Sequence, residues 1–194
     1  MRRVFLAALA ALLLLGCGRQ EAQSFKGTDI TGAPFGRGFS LQDHNGQPRK
    51  LEDFKGKAVA IFFGYTHCPD VCPTTLTDLK SAFKLLGPEV AGRVQVLFVT
   101  VDPERDSPEV LAKYVPYFDP SFLGLYGTPE QVAETAREFK VHYSKHTESG
   151  ASGYLVDHTA ATYVFDPQGR IRLFWPYGFP ASDMAHDLKQ VLAE

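Results

Sequence analysis

Phe62-Phe63-Gly64-Tyr65-Thr66-His67-Cys68-Pro69-Asp70-Val71-Cys72-Pro73 is an apolar run that empties into a loop holding two cysteines with three residues between them. Upstream, Ala58 to Phe63 (AVAIFF) is as long as a strand buried on both faces, and Gly64 ends it. Downstream, Pro73 suits the first position of a helix and pushes the residue before it out of helical geometry. Cys68 to Cys72 is therefore read as a loop, with Cys72 near the N-cap. Leu76, Leu79, Phe83 and Leu86 then recur at helical spacing. The partial positive charge at the start of such a helix favours the Cys72 thiolate, making it a better nucleophile and a better soft-metal ligand.

Two blander readings of the pair fit less well. Free cysteines are often plain core residues, but these flank a proline and an acid in a loop. A structural disulfide would close too short a loop to stabilise much, so a bridge here suits reversible redox chemistry better than stapling.

The remaining cysteine of the three, Cys17, belongs to a different signal. Arg2 and Arg3 precede the apolar run Val4 to Leu15, which ends in Leu14-Leu15-Gly16-Cys17. A charged start, a short apolar core and a small residue at the cut describe an export signal over residues 1–16. Leu-Leu-Gly-Cys resembles a bacterial lipobox, which implies a chain lipidated at Cys17. Residues 17–35, polar and glycine-dotted, are then read as a tether, and 36–194 as one domain. Loss of Arg2 and Arg3 takes the formal charge from −2 to −4, and no basic stripe points to nucleic acid.

Within the domain, Phe39 and Leu41 alternate with polar residues up to Asn45-Gly46, and Gln47 to Leu51 returns as a small hairpin. Gly87-Pro88 breaks the first helix, and Val94 to Val101 is a second apolar strand, parallel to the first across that helix. Ser107-Pro108-Glu109 and Thr128-Pro129-Glu130 carry helix-start signals, and the charges of Asp102-Pro103-Glu104-Arg105-Asp106 are read as a loop-and-cap device. Tyr143 to Gly153 reads as an exposed loop or hairpin insertion. Tyr154 to Phe165 and Ile171 to Trp175 flank the turn Asp166-Pro167-Gln168-Gly169, and Ser182 to Leu192 is an amphipathic closing helix.

That order is the thioredoxin-like α/β arrangement, a central mixed sheet flanked by helices, with the thiol pair between the first core strand and the first helix. Thioredoxin-like oxidoreductases carry one residue fewer between the sulfurs, and they place a thiol-facing proline where this chain has Asp157-His158-Thr159. YTHCPDVCP (65–73), VDPERD (101–106) and YLVDHT (154–159) together closely resemble the Sco/SenC family of copper-binding proteins. The resemblance implies Cys68, Cys72 and His158 as ligands for copper, as Cu(I), Cu(II) or both. It also implies assembly of the binuclear copper A centre of cytochrome c oxidase as the role. Two soft sulfurs and an imidazole suit copper in both oxidation states, whereas zinc usually takes four ligands.

His67 is expected to point away from Cys68 along an extended segment. His142 and His146 are read as exposed loop histidines, with a second copper site as the alternative, and His44 and His186 are not candidates. Two functions follow. One is a copper chaperone serving the oxidase subunit that holds copper A, with an upstream copper donor and a thiol reductant as further partners. The other is a thiol–disulfide reductase working through Cys68 and Cys72 to keep the copper A cysteines reduced. The expected location is the extracytoplasmic, periplasmic face of a bacterial cytoplasmic membrane, held by a lipid anchor.

Overall fold

The computed structural model describes residues 24–147 and 153–194. The chain runs β1 (Thr28–Asp29), β2 (Ser40–Asp43), β3 (Pro48–Lys50), β4 (Ala58–Gly64), α1 (Val71–Ala91), β5 (Val94–Thr100), α2 (Pro108–Phe118) and β6 (Leu123–Tyr126). It continues through α3 (Pro129–Glu138), β7 (Tyr143–His146), β8 (Leu155–His158), β9 (Ala161–Phe165), β10 (Ile171–Pro176) and α4 (Ala181–Leu192). Eight strands form one sheet in the order β1-β10-β9-β4-β5-β6-β2-β3, while β7 and β8 pair only with each other. The expected signal peptide and Cys17 lie outside the described residues.

The two continuous apolar runs become the central strands, β4 and β5, buried along their whole length and parallel from Ala58↔Val94 to Gly64↔Thr100. Burial on both faces is what an all-apolar strand demands. Side chains alternate, so Phe62 and Phe63 serve opposite faces. Phe63 joins Phe139 and Tyr163 at ring separations of 5.2 and 6.5 Å, and Phe62 meets Phe98 at 6.0 Å and His158 at 6.1 Å. β9 lies antiparallel to β4, pairing Phe62 with Thr162, and so carries the segment after His158 to the end of β4 where the cysteines begin.

The helix starts follow the sequence signals. Ser107 Oγ accepts from the Val110 amide at 3.4 Å, and Thr128 and Gln131 form a reciprocal capping box. At Gly87-Pro88, α1 does not stop: Gly87 adopts φ 75° and ψ 164°, kinking the helix, and helical structure resumes to Ala91. Glycine alone takes that conformation without strain.

The tether was drawn too long. Residues 28–29 pair with β10, the Ile30 amide donates to the Arg172 carbonyl at 2.8 Å, and Phe25, Ile30, Ala33 and Phe35 pack on the core. The polar spacing hid these anchors because the segment is held by a side chain far along the chain. Fully buried Asp187 accepts from the amides of Lys26 and Gly27 at 2.7 and 2.8 Å and from Trp175 Nε1 at 3.0 Å. Asp187→Ala leaves three donors without an acceptor, and the expected loss is about 2–3 kcal/mol. Urea denaturation measures it, and an unchanged midpoint would contradict this role for Asp187.

Candidate metal centre

The sulfurs of Cys68 and Cys72 and a ring nitrogen of His158 all lie within 4.8 Å of one another. They reach this arrangement from three places: a loop, a helix start and the end of a hairpin strand. Cys68 is half-buried in the loop after β4, where its amide donates to the Tyr65 carbonyl at 3.3 Å. Cys72 is fully buried as the second residue of α1, whose N-cap is Asp70. The helix thus starts earlier than Pro73 suggested. Proline is tolerated there because the first-turn amides have no partner inside the helix. The Cys72 amide instead donates to Cys68 Sγ at 3.4 Å.

His158 ends β8, half-buried, with Nε2 3.3 Å from Cys72 Sγ. Its Nδ1 lies 3.3 Å from the Thr159 carbonyl, an acceptor only. Nδ1 therefore carries the proton, and Nε2 turns its lone pair toward the sulfurs. Tyr65 stands edge-on to the imidazole at 5.9 Å and helps fix its plane. The site opens into a cleft of about 310 Å³ lined by Tyr65, Cys68, Asp70, His146, Asp157 and His158, among others.

The two thiols are electrostatically unequal, in the opposite sense to the sequence expectation. The hydrogen bond from Cys72 holds the Cys68 thiol down at about 3, helped by the Cys72 and Asp70 amides, against the opposing effect of burial. Burial pushes the Cys72 thiol well above its ordinary range, and the adjacent Cys68 charge adds to this. Cys72 sits at the positive end of the helix, as expected, but loss of water at a buried sulfur outweighs that field.

His67 is exposed and outside the cluster, although it sits in the turn closed by Tyr65 and Cys68 and not on the extended segment expected, with Nδ1 3.0 Å from Thr66 Oγ1. The backbone of His142 pairs with Thr159, and His146 Nδ1 lies 3.1 Å from Asp157 Oδ2; neither histidine joins the cluster. His44 accepts from the Gly124 amide at 3.0 Å, and His186 lies 3.1 Å from the Ser24 carbonyl.

Sequence reasoning missed two supports of the site. Gly64, taken as a strand terminator, is a close approach: a Cβ there would lie 2.7 Å from Cys72 Sγ and 2.9 Å from Phe98. A glycine at the end of an apolar run just before a functional loop was the available signal. The second is the loop after β5. Asp106 is 1% exposed and accepts from the Thr66 amide at 3.0 Å, the Thr66 hydroxyl at 2.6 Å and the Thr100 hydroxyl at 2.6 Å. It ties down the chain two residues before Cys68, and burial raises its carboxyl above the ordinary range against these donors. No spacing pattern separates such an aspartate from a loop charge.

A thioredoxin-like sheet bearing a dithiol and an imidazole at the end of its central strand defines a thiol-based metal or redox protein. The chain belongs to the SCO1/SenC family, whose profile matches residues 27–193. It is 40% identical over 163 residues to the Mus musculus mitochondrial SCO2 homolog, which covers 83% of this chain and 64% of that protein. An apo Sco1 protein from Thermus thermophilus is 46% identical with a TM-score of 0.76, covering 87% of this chain and 98% of that one. Arabidopsis thaliana ScoI, solved with copper bound, is 33% identical with a TM-score of 0.74, covering 81% and 98%. The expected lipid-anchored location on a bacterial membrane is corrected by the curated relatives: the mouse protein and its Homo sapiens and Saccharomyces cerevisiae counterparts are mitochondrial. Among the described residues, no helix is long and apolar enough to cross a membrane.

The thiol asymmetry has a direct readout in the reduced, metal-free protein. Iodoacetamide is expected to modify Cys68 alone, at a rate nearly independent of pH between about 5 and 8, because the thiolate is already formed throughout that range. Mass spectrometry of the singly modified chain follows it. A rate climbing about tenfold per pH unit through neutrality, as for an ordinary thiol, would contradict the assignment.

Proposed function

We propose that this protein carries copper on Cys68, Cys72 and His158 and passes it by ligand exchange to the cytochrome c oxidase subunit that holds the copper A centre. The convergence of two sulfurs and one imidazole nitrogen within 4.8 Å carries this reading. Two thiolates select the soft Cu(I) ion, and the imidazole suits both oxidation states. Among the described residues, no fourth cysteine, histidine or acid joins the cluster, which argues against the four-ligand zinc pattern. Three ligands beside an open cleft leave room for an incoming ligand from the recipient, as ligand exchange requires. Family membership supports oxidase assembly as the role, and the copper-bound Arabidopsis relative supports the cargo. An upstream copper donor and a thiol reductant complete the cycle.

The unequal thiols favour a second activity, reduction of the copper A cysteines. Cys68 thiolate attacks one sulfur of the target disulfide and expels the other as thiolate. Cys72 yields its proton to His158 Nε2, 3.3 Å away, and attacks Cys68 Sγ. The second target thiolate leaves and a Cys68–Cys72 disulfide remains. Two electrons pass to the target, and an external dithiol must restore the pair.

Titrating the reduced protein with Cu(I) under a competing chelator, and with Cu(II) by optical spectroscopy, tests the choice. One-to-one binding is expected. His158→Ala should weaken it at least about 10-fold while both thiols remain titratable. Undiminished affinity in that variant, together with rapid exchange against a disulfide of the oxidase subunit, would move the function to reduction.

A further inference from the structure

The hairpin that delivers His158 bonds to no strand of the main sheet. A two-stranded hairpin is marginal in water by itself, so something else must hold it. The loop between β5 and α2 does so. Tyr154 Oη donates to Asp102 Oδ1 at 2.7 Å, and Arg105 Nη1 donates to the Tyr154 carbonyl at 2.8 Å. The Arg105 guanidinium lies 3.7 Å from the centre of the Tyr154 ring and 5.6 Å from that of Tyr65, and it also pairs with the fully buried Asp102. One residue earlier in the loop, Glu104 takes Lys145 Nζ of β7 at 2.7 Å, and that ammonium lies 4.8 Å over the same Tyr154 ring.

The loop's far end, Asp106, holds Thr66 just ahead of Cys68. A single loop therefore grips both halves of the metal centre, the thiol side through Asp106 and the imidazole side through Asp102, Arg105 and Tyr154. Charge-assisted bonds to a buried carboxylate and a cation stacked on an aromatic face are among the stronger side-chain attachments.

We infer that Asp102, Arg105 and Tyr154 are positioning residues that set the reach of His158 to the two sulfurs, and so decide whether the site presents three ligands or a bare dithiol. The inference rests on the copper reading and deepens it. With the clasp closed, Nε2 stands 3.3 Å from Cys72 Sγ. With the clasp broken, the hairpin keeps Val156 in the core and the Thr159–His142 bonds at its base but loses the side-chain anchor nearest the imidazole, which withdraws. Cu(II), which needs the nitrogen donor, is lost first, whereas Cu(I) is still served by two thiolates.

The test is a double-mutant cycle in the full chain: Arg105→Ala, His158→Ala and the pair together, read by Cu(II) affinity and by nitrogen hyperfine coupling in the electron paramagnetic resonance spectrum. Arg105→Ala is expected to weaken Cu(II) about 10-fold, abolish the nitrogen coupling and keep both thiols titratable. It should cost nothing further once His158 is gone, because it acts only through that ring. Should Arg105→Ala fail to fold, Tyr154→Phe, which removes one oxygen, enters the same cycle with the same expected sign. Nitrogen coupling retained in the clasp variant, or losses that simply add, would overturn the inference while the copper reading stands. Copper binding by the unaltered protein that ignores His158 would overturn both.

Discussion

The seat of the Cys72 sulfur is a space that only a glycine at residue 64 leaves open. That exclusion couples the end of β4 to the first turn of α1. With Sγ buried there, Cys72 cannot ionise easily, so it donates to Cys68 and concentrates the negative charge on the more exposed sulfur. The division of labour between the thiols follows from packing. Phe98, on the neighbouring strand, closes the other side of the same space, so the parallel β4–β5 register is part of the site's geometry.

Attached to that centre is a part built outside the main sheet. His158 comes from a hairpin outside the main sheet, and its ring is oriented by the Thr159 carbonyl and by Tyr65. Two sulfurs on a loop and a helix start, and one nitrogen on a side-chain-anchored hairpin, give a site whose ligands are held in different ways. Such a combination suits a protein that must hold an ion and then release it, because one ligand can move without disturbing the other two.

Much of this was legible in the sequence because strong local physics set it. Continuous apolar runs fixed β4 and β5, Asn45-Gly46 fixed the first hairpin, and serine-proline and threonine-proline starts fixed α2 and α3. The trio Cys68, Cys72 and His158 was reachable through its motifs, since the topology that joins them is itself encoded in the order of elements. What escaped depends on distant partners. Asp187 reaches back across the fold to Lys26 and Gly27, and Asp102 and Arg105 reach forward to Tyr154. A polar residue's local spacing carries no record of a partner contributed by another element. The preference for a Cys72 thiolate failed for a related reason: the helix start was visible, but the burial that opposes it was not.

His158 lies 86 residues beyond Cys72, and the strand that follows it inserts directly against β4. During synthesis, a chain made only through β6 already owns its dithiol but not His158. The three-donor set arises only when β9 takes its place at the middle of the sheet, so the full set is a late property of the molecule and marks its completion. An immature chain can meet an oxidant or a stray soft ion with its two sulfurs alone, and the order of assembly sets how long that exposure lasts.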